Sequence, residues 1–423
     1  MADTLSPPFA SQFGSLFLIA LALSTATRIW LNRRHVRHVS ANRERVPDEF
    51  SDRITLAAHQ KAADYTVAKA HFGRLALGLE IALLLALTLG GGLDAIASFW
   101  RARFDGLGYG VALIVSVIVI SGIIDLPLGL WRQFVIEERF GFNRMRLGLF
   151  FADMAKSTAI GAVIGIPVLL VVLWLMGAMG RLWWLYVWGF WCGFSLLSLF
   201  IYPTWIAPLF NKFTPLATGE TRTRVEALLE RCGFRSGGLF VMDGSKRSAH
   251  GNAYFTGFGR NKRIVFFDTL LKRLQPEEIE AVLAHELGHF RHRHVLKRIV
   301  TLFALSLAFL ALLGQLIDAP WFYAGLGVSA GAQGTAMALI LFFLVMPTFS
   351  FLLTPLGSLI SRRHEFEADR YAAAHANRDD LVRALVKLYE DNAATLTPDP
   401  LHSLFYDSHP PASIRIARLQ AAS

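Results

Sequence analysis

Long apolar runs separated by polar, mostly basic segments set the pattern of this chain. The runs cover about 13–31, 75–100, 109–131, 157–179, 182–206, 299–319 and 336–360. A helix needs about 20 apolar residues to cross the ~30 Å hydrocarbon core, and every run approaches or exceeds that length. The pattern therefore predicts an α-helical polytopic membrane protein with seven transmembrane helices. The first run lacks a basic leader and an evident small-residue cleavage site, and Arg28, Arg33, Arg34 and Arg37 stand at its far end. It reads as a retained span rather than a signal peptide.

The polar segments divide the chain. Residues 1–206 hold five spans and their loops, and 207–298 form a long polar section. Residues 299–360 hold two more spans, and 361–423 form a polar tail with a helical pattern. Within the polar section, 238–242 and 263–267 are short apolar runs with β-branched and aromatic residues, which predicts a small β-sheet. Residues 252–256 precede the second of these strands, and glycine-rich 257–261 suits a turn. Basic residues concentrate after the first run, after the third, in the polar section and in the tail. If the spans alternate, those four segments share one side. The positive-inside rule then puts the N-terminus outside and the polar section and tail in the cytoplasm. The membrane would be the plasma or inner membrane in a bacterium and the endoplasmic reticulum in a eukaryote.

Composition agrees: 54% of residues are hydrophobic, 17% are charged, and mean hydropathy is +0.42. A net charge of +10 would suggest nucleic acid in a soluble chain. Here the charge sits beside apolar runs, so the expected partner is the lipid bilayer and not nucleic acid. Cys192 and Cys232, the only cysteines, allow no disulfide framework and no thiolate zinc site. Ionisable groups in hydrocarbon are costly and usually face a bundle interior or water. Glu80 and Asp125 fit either a polar chamber or helix pairing, whereas Asp94 and Asp318, near run ends, fit an interface.

The chemistry lies in His285-Glu286-Leu287-Gly288-His289, an H-E-x-x-H motif. Pro276 and the acidic residues behind it suit the start of a helix. Histidines four apart share a helix face and can converge on one zinc ion, leaving room for a third ligand and a water. Glu286, beside the first histidine, can take that water's proton. The best further ligand lies beyond the last span, where Glu365 and Asp369 share a face. Glu365 can bind the metal while Asp369 orients a ligating histidine. The same stretch, with Arg362, Arg363 and Arg370, also fits a solvated charged face. His364 and Glu367 are weaker ligand candidates, and His292 and His294 suit a basic, solvated stretch.

Further stretches carry a resemblance: 59–69, 134–143, 206–213 and Ser408-His409-Pro410-Pro411. With the zinc motif they make the chain resemble the type I CAAX prenyl endopeptidases, integral-membrane zinc metallopeptidases. The resemblance implies one zinc on His285, His289 and Glu365, with Glu286 as general base and Asp369 behind the ligands. It further implies that His409 stabilises the tetrahedral intermediate, that Asn252 contacts the substrate backbone or oxyanion, and that Arg415 supports the site. It also implies a large intramembrane chamber enclosed by the helices and a peptide or protein substrate with a prenylated C-terminus. An extended substrate can pair with 252–256 as an added strand. One rival reading is a quality-control protease without prenyl specificity. Another is a seven-span receptor or transporter, which would have no reason to keep Glu286, Glu365 and His409 together.

Overall fold

The architecture comes from a computed structural model that describes residues 6–256 and 263–421. The turn expected at 257–261 lies outside the described residues. Helix α1 spans Ser6–Ala41 and α2 spans Leu56–Leu87, with the Thr55 hydroxyl accepting from Ala58 N at the start of α2. The apolar run 75–100 is not one crossing, which corrects the sequence-based expectation. Helix α2 begins well upstream of it, in polar sequence, and stops at Leu87. The chain breaks at Gly91, whose φ of +76° is a conformation only glycine adopts cheaply. It re-forms as the short helix α3, Gly92–Arg101, with Leu93 and Ala97 buried. Hydropathy continues across the break because α3 covers the bundle with its apolar face.

Three long helices follow: α4, Gly106–Trp131, α5, Leu147–Ala178, and α6, Trp183–Ile201. Outside the bundle, β1 (Phe213–Pro215), α7 (Glu220–Arg231), β2 (Leu239–Met242), β3 (Ala253–Thr256) and β4 (Arg263–Phe267) come next. They form a four-stranded sheet of order β1-β2-β4-β3, with β2 and β4 parallel and the outer pairings antiparallel. Strand β3 is thus an edge. Helices α8, Asp268–Arg273, and α9, Pro276–Arg291, lead to α10, His294–Leu316, and the short α11, Pro320–Gly325. Helix α12, Thr335–Ser350, continues through a 3-10 turn into α13, Thr354–His375. The tail adds α14 (Arg378–Asp391), α15 (Pro400–Tyr406) and α16 (Ala412–Ala421).

Among the described residues seven helices are long and apolar enough to cross a membrane, and the last, Thr335–His375, is 41 residues long. At 1.5 Å per residue it runs about 60 Å, twice the ~30 Å core, so its polar second half emerges from the bilayer. Packing gathers the basic segments at that end. Phe50 and Ile54, from the loop after α1, join one apolar core with Leu228, Ile264, Leu283, Leu385 and Ile416. Arg247 clamps Asp153 at the start of α5, and Asn143 bridges to Ser248. Arg34 of α1 pairs with Asp399 of the tail at 2.9 Å. A second apolar core, with Phe17, Leu113, Leu313 and Leu341, fills the far part of the bundle. A cavity of about 840 Å³ is walled by α1, α2, Phe351 and Thr354 at the α12–α13 junction, and the tail, and reaches His409.

Candidate active site and metal centre

Helix α9 carries the histidines in a rigid setting. Pro276 occupies its first turn, and Glu278 reaches back to accept from Gln275 N at 2.8 Å. Its inner face buries Ile279, Leu283 and Leu287 in the core, so His285 and His289 fall on one side. Gly288 lets α13 come close: a Cβ there would lie 2.8 Å from Ala368 Cα and 3.1 Å from Ala368 O. That contact sets the carboxylates of α13 against the imidazoles of α9.

One ligand atom from each of His285, His289 and Glu365 lies within 4.8 Å of the others. The two Nε2 atoms are 3.2 Å apart, and Glu365 oxygens lie 3.5 Å from His285 Nε2 and 3.4 Å from His289 Nε2. A tetrahedral ion with ~2.0–2.1 Å bonds has ligand–ligand edges of about 3.3 Å, so the set fits zinc. Glu365 is 3% exposed. Its Oε2 lies 2.8 Å from His409 Nδ1, yet no donor is aligned with it, which leaves a buried acceptor without a hydrogen bond. The Arg415 guanidinium lies 3.5 Å from the same oxygen, and an acceptor without a hydrogen bond suits a metal cation as well.

The outer contacts hold both rings. Asp369 Oδ1 faces His285 Nδ1 at 2.9 Å, and Arg415 grips both Asp369 oxygens at 2.6 and 2.9 Å. Burial works against a charged His285, but Asp369 and Glu365 outweigh it and raise its pKa to about 9. Burial also opposes charge on Arg415, and its hydrogen bonds to Asp369 more than offset this, raising its pKa. On the other ring, His289 Nδ1 meets His294 Nδ1 at 2.9 Å, and His294 Nε2 meets Glu367 Oε2 at 3.0 Å. His294 is 5% exposed and stacks on His364. It is therefore not the solvated residue its basic neighbours suggest. Arg293 adopts φ +56°, which turns the chain sharply and folds His294 back over His289. Linear charge density gives no signal of that turn.

The remaining candidates divide. His409 reaches the cluster through Glu365 with its side chain 63% exposed. Glu286 is half-buried and makes no hydrogen bond or ion pair among the described residues, so its carboxylate is available. Asn252 stands apart, exposed just before β3, with Oδ1 accepting from Ala253 N.

A bundle of membrane-spanning helices with an H-E-x-x-H helix and a converging carboxylate at one end defines a membrane-embedded metallopeptidase. The chain belongs to peptidase family M48: that family model matches residues 215–423, and one described as CAAX prenyl protease N-terminal, five membrane helices, matches 35–212. A CAAX prenyl protease 1 homolog of Arabidopsis thaliana is 38% identical over 72% of each chain. That of Homo sapiens is 31% identical over 96% of this chain and 95% of its own. A crystal structure of S. mikatae Ste24p superposes with a TM-score of 0.89 at 30% identity, covering 96% of this chain and 99% of that one.

Proposed function

We propose that this metalloendopeptidase uses one zinc ion to cut peptide bonds near prenylated, CAAX-type C-termini at the cytoplasmic face of its membrane. The observation that carries the chemistry is the buried His285–His289–Glu365 triangle with its unsatisfied oxygen. The relatives, named CAAX prenyl proteases across almost the whole chain, support the substrate class. The gathering of all four basic segments at the site's end supports the cytoplasmic orientation.

His285, His289 and Glu365 would hold the ion, while Asp369 and Arg415 fix the His285 ring and His294 with Glu367 fixes the His289 ring. Bound zinc would polarise the scissile carbonyl and lower the pKa of its water to about 7. Glu286 takes the proton of the attacking water and returns it to the leaving amine. His409, exposed on the open side, donates to the developing oxyanion. The open edge of β3 can take an extended substrate as an added strand, with Asn252 at its start.

The test is cleavage of matched farnesylated and unfarnesylated peptides by purified protein with measured zinc content. The farnesylated peptide is cut with the higher kcat/KM, and Glu286→Gln keeps its zinc while losing both activities. Equal cutting of the two peptides would favour a quality-control protease, and near-normal turnover in Glu286→Gln would remove Glu286 from its role.

A further inference from the structure

The cavity lined by α1 and α2 carries cations that a hydrocarbon chain would not need. Arg28, Lys69 and Arg74 face it from α1 and α2, with Glu80 and Asp407 as its acids and His409 at its catalytic end. Glu80 is taken by Arg28 at 3.6 Å, whereas Lys69 and Arg74 make no ion pair among the described residues. Lys69 is nonetheless held in place. Its ammonium sits 3.9 Å over the Tyr65 ring, and the Tyr65 hydroxyl donates to buried Glu137 at 2.8 Å. Glu137 is the acid that acts on Lys69, and cations that line a cavity in a helix bundle without an ion pair suit an anionic ligand. At about 840 Å³ the cavity is of ligand size. It accommodates a short peptide, whose extended length is about 3.3–3.6 Å per residue.

We propose that Lys69 and Arg74 bind the free C-terminal carboxylate of the substrate, so that the segment to be released lies in this cavity with its scissile bond at the metal centre. The inference rests on the reading of the protein as a CAAX-type protease, whose released fragment ends in a carboxylate. The mixed wall, with Leu77 and Phe351 beside the cations, suits a short peptide with a charged end, and the prenyl chain is left to the apolar helix surfaces and lipid. The arginine can engage both carboxylate oxygens, and the lysine supplies a point charge beside it.

The experiment compares one farnesylated peptide with a free C-terminal carboxylate and the same peptide ending in an amide. In the wild type the amide raises KM about 10–100-fold, the range for losing a hydrogen-bonded charge partner, with a smaller change in kcat. Lys69→Gln together with Arg74→Gln brings the two peptides to the same kcat/KM, while Lys69→Arg retains the preference. Zinc content equal to the wild type shows that the variants are folded. Equal cleavage of acid and amide by the wild type overturns the proposal, and so does an undiminished acid preference in the double variant. A wild type that cuts neither peptide overturns the CAAX-type reading itself, and the carboxylate site with it.

Discussion

His409 touches Glu365, a proposed metal ligand, without belonging to the proposed ligand set, and that position defines what its loss is expected to do. Its ring nitrogen lies 2.8 Å from Glu365 while most of the side chain faces open space, as an oxyanion donor requires. His409→Ala is expected to keep zinc and bind substrate-like peptides nearly normally while single-turnover rate falls about 10²–10³-fold. An unchanged rate constant would leave it a loop histidine before Pro410 and Pro411. His294 acts on the ion through His289, so its variant moves the opposite quantity. His294→Ala is expected to weaken zinc affinity about 10–100-fold in chelator competition, because the His289 ring loses the partner that fixes its orientation. The two substitutions thus separate turnover from metal retention at neighbouring positions.

At the scale of elements, the site depends on how closely α9 and α13 approach. Gly288 stands where a side chain would strike the Ala368 backbone, which cannot yield as a flexible side chain does. Gly288→Ala is expected to part the helices, lower the thermal midpoint and reduce zinc affinity, with helical content by circular dichroism unchanged. Wild-type zinc affinity in that variant would show that the contact does not set the triangle. The histidine pair and its helix were legible because i,i+4 spacing and Pro276 are local signals. The end of α2 was not, since apolar sequence runs on through the Gly91 break into α3. The surroundings of His294 were hidden for the same reason: a backbone turn at Arg293 reverses the meaning of the charges around it. The ligand Glu365 was legible as a candidate, but its approach to the histidines depends on a helix crossing that no sequence period encodes.

Across the whole molecule, the alternation of basic loops predicted a common end for four separate segments, and the packing of Phe50, Ile54, Arg247 and the tail places them there. Cysteine labelling tests which side that end faces. With Cys192 and Cys232 replaced, Ser6→Cys is expected to react only from outside and Ser423→Cys only from the cytoplasm. Labelling of both from one side would contradict an odd number of crossings. The cavity could not be read from apolar periodicity, because the helix faces that line it, such as Arg28, Asn32 and His35 of α1 and Thr66, Lys69, Gly73 and Glu80 of α2, keep helical spacing but mix charged, polar and small residues. The metal triangle has a related discontinuity. His285 and His289 precede the last pair of long helices, whereas Glu365, Asp369, His409 and Arg415 come with or after them. During synthesis the chain therefore lacks a complete metal site until its final hairpin has been inserted and its tail has folded back. On the proposed ligand set, translation order imposes a delay on proteolytic capacity, and a prematurely terminated chain lacking Glu365 is expected to be chemically inert in the membrane that received it.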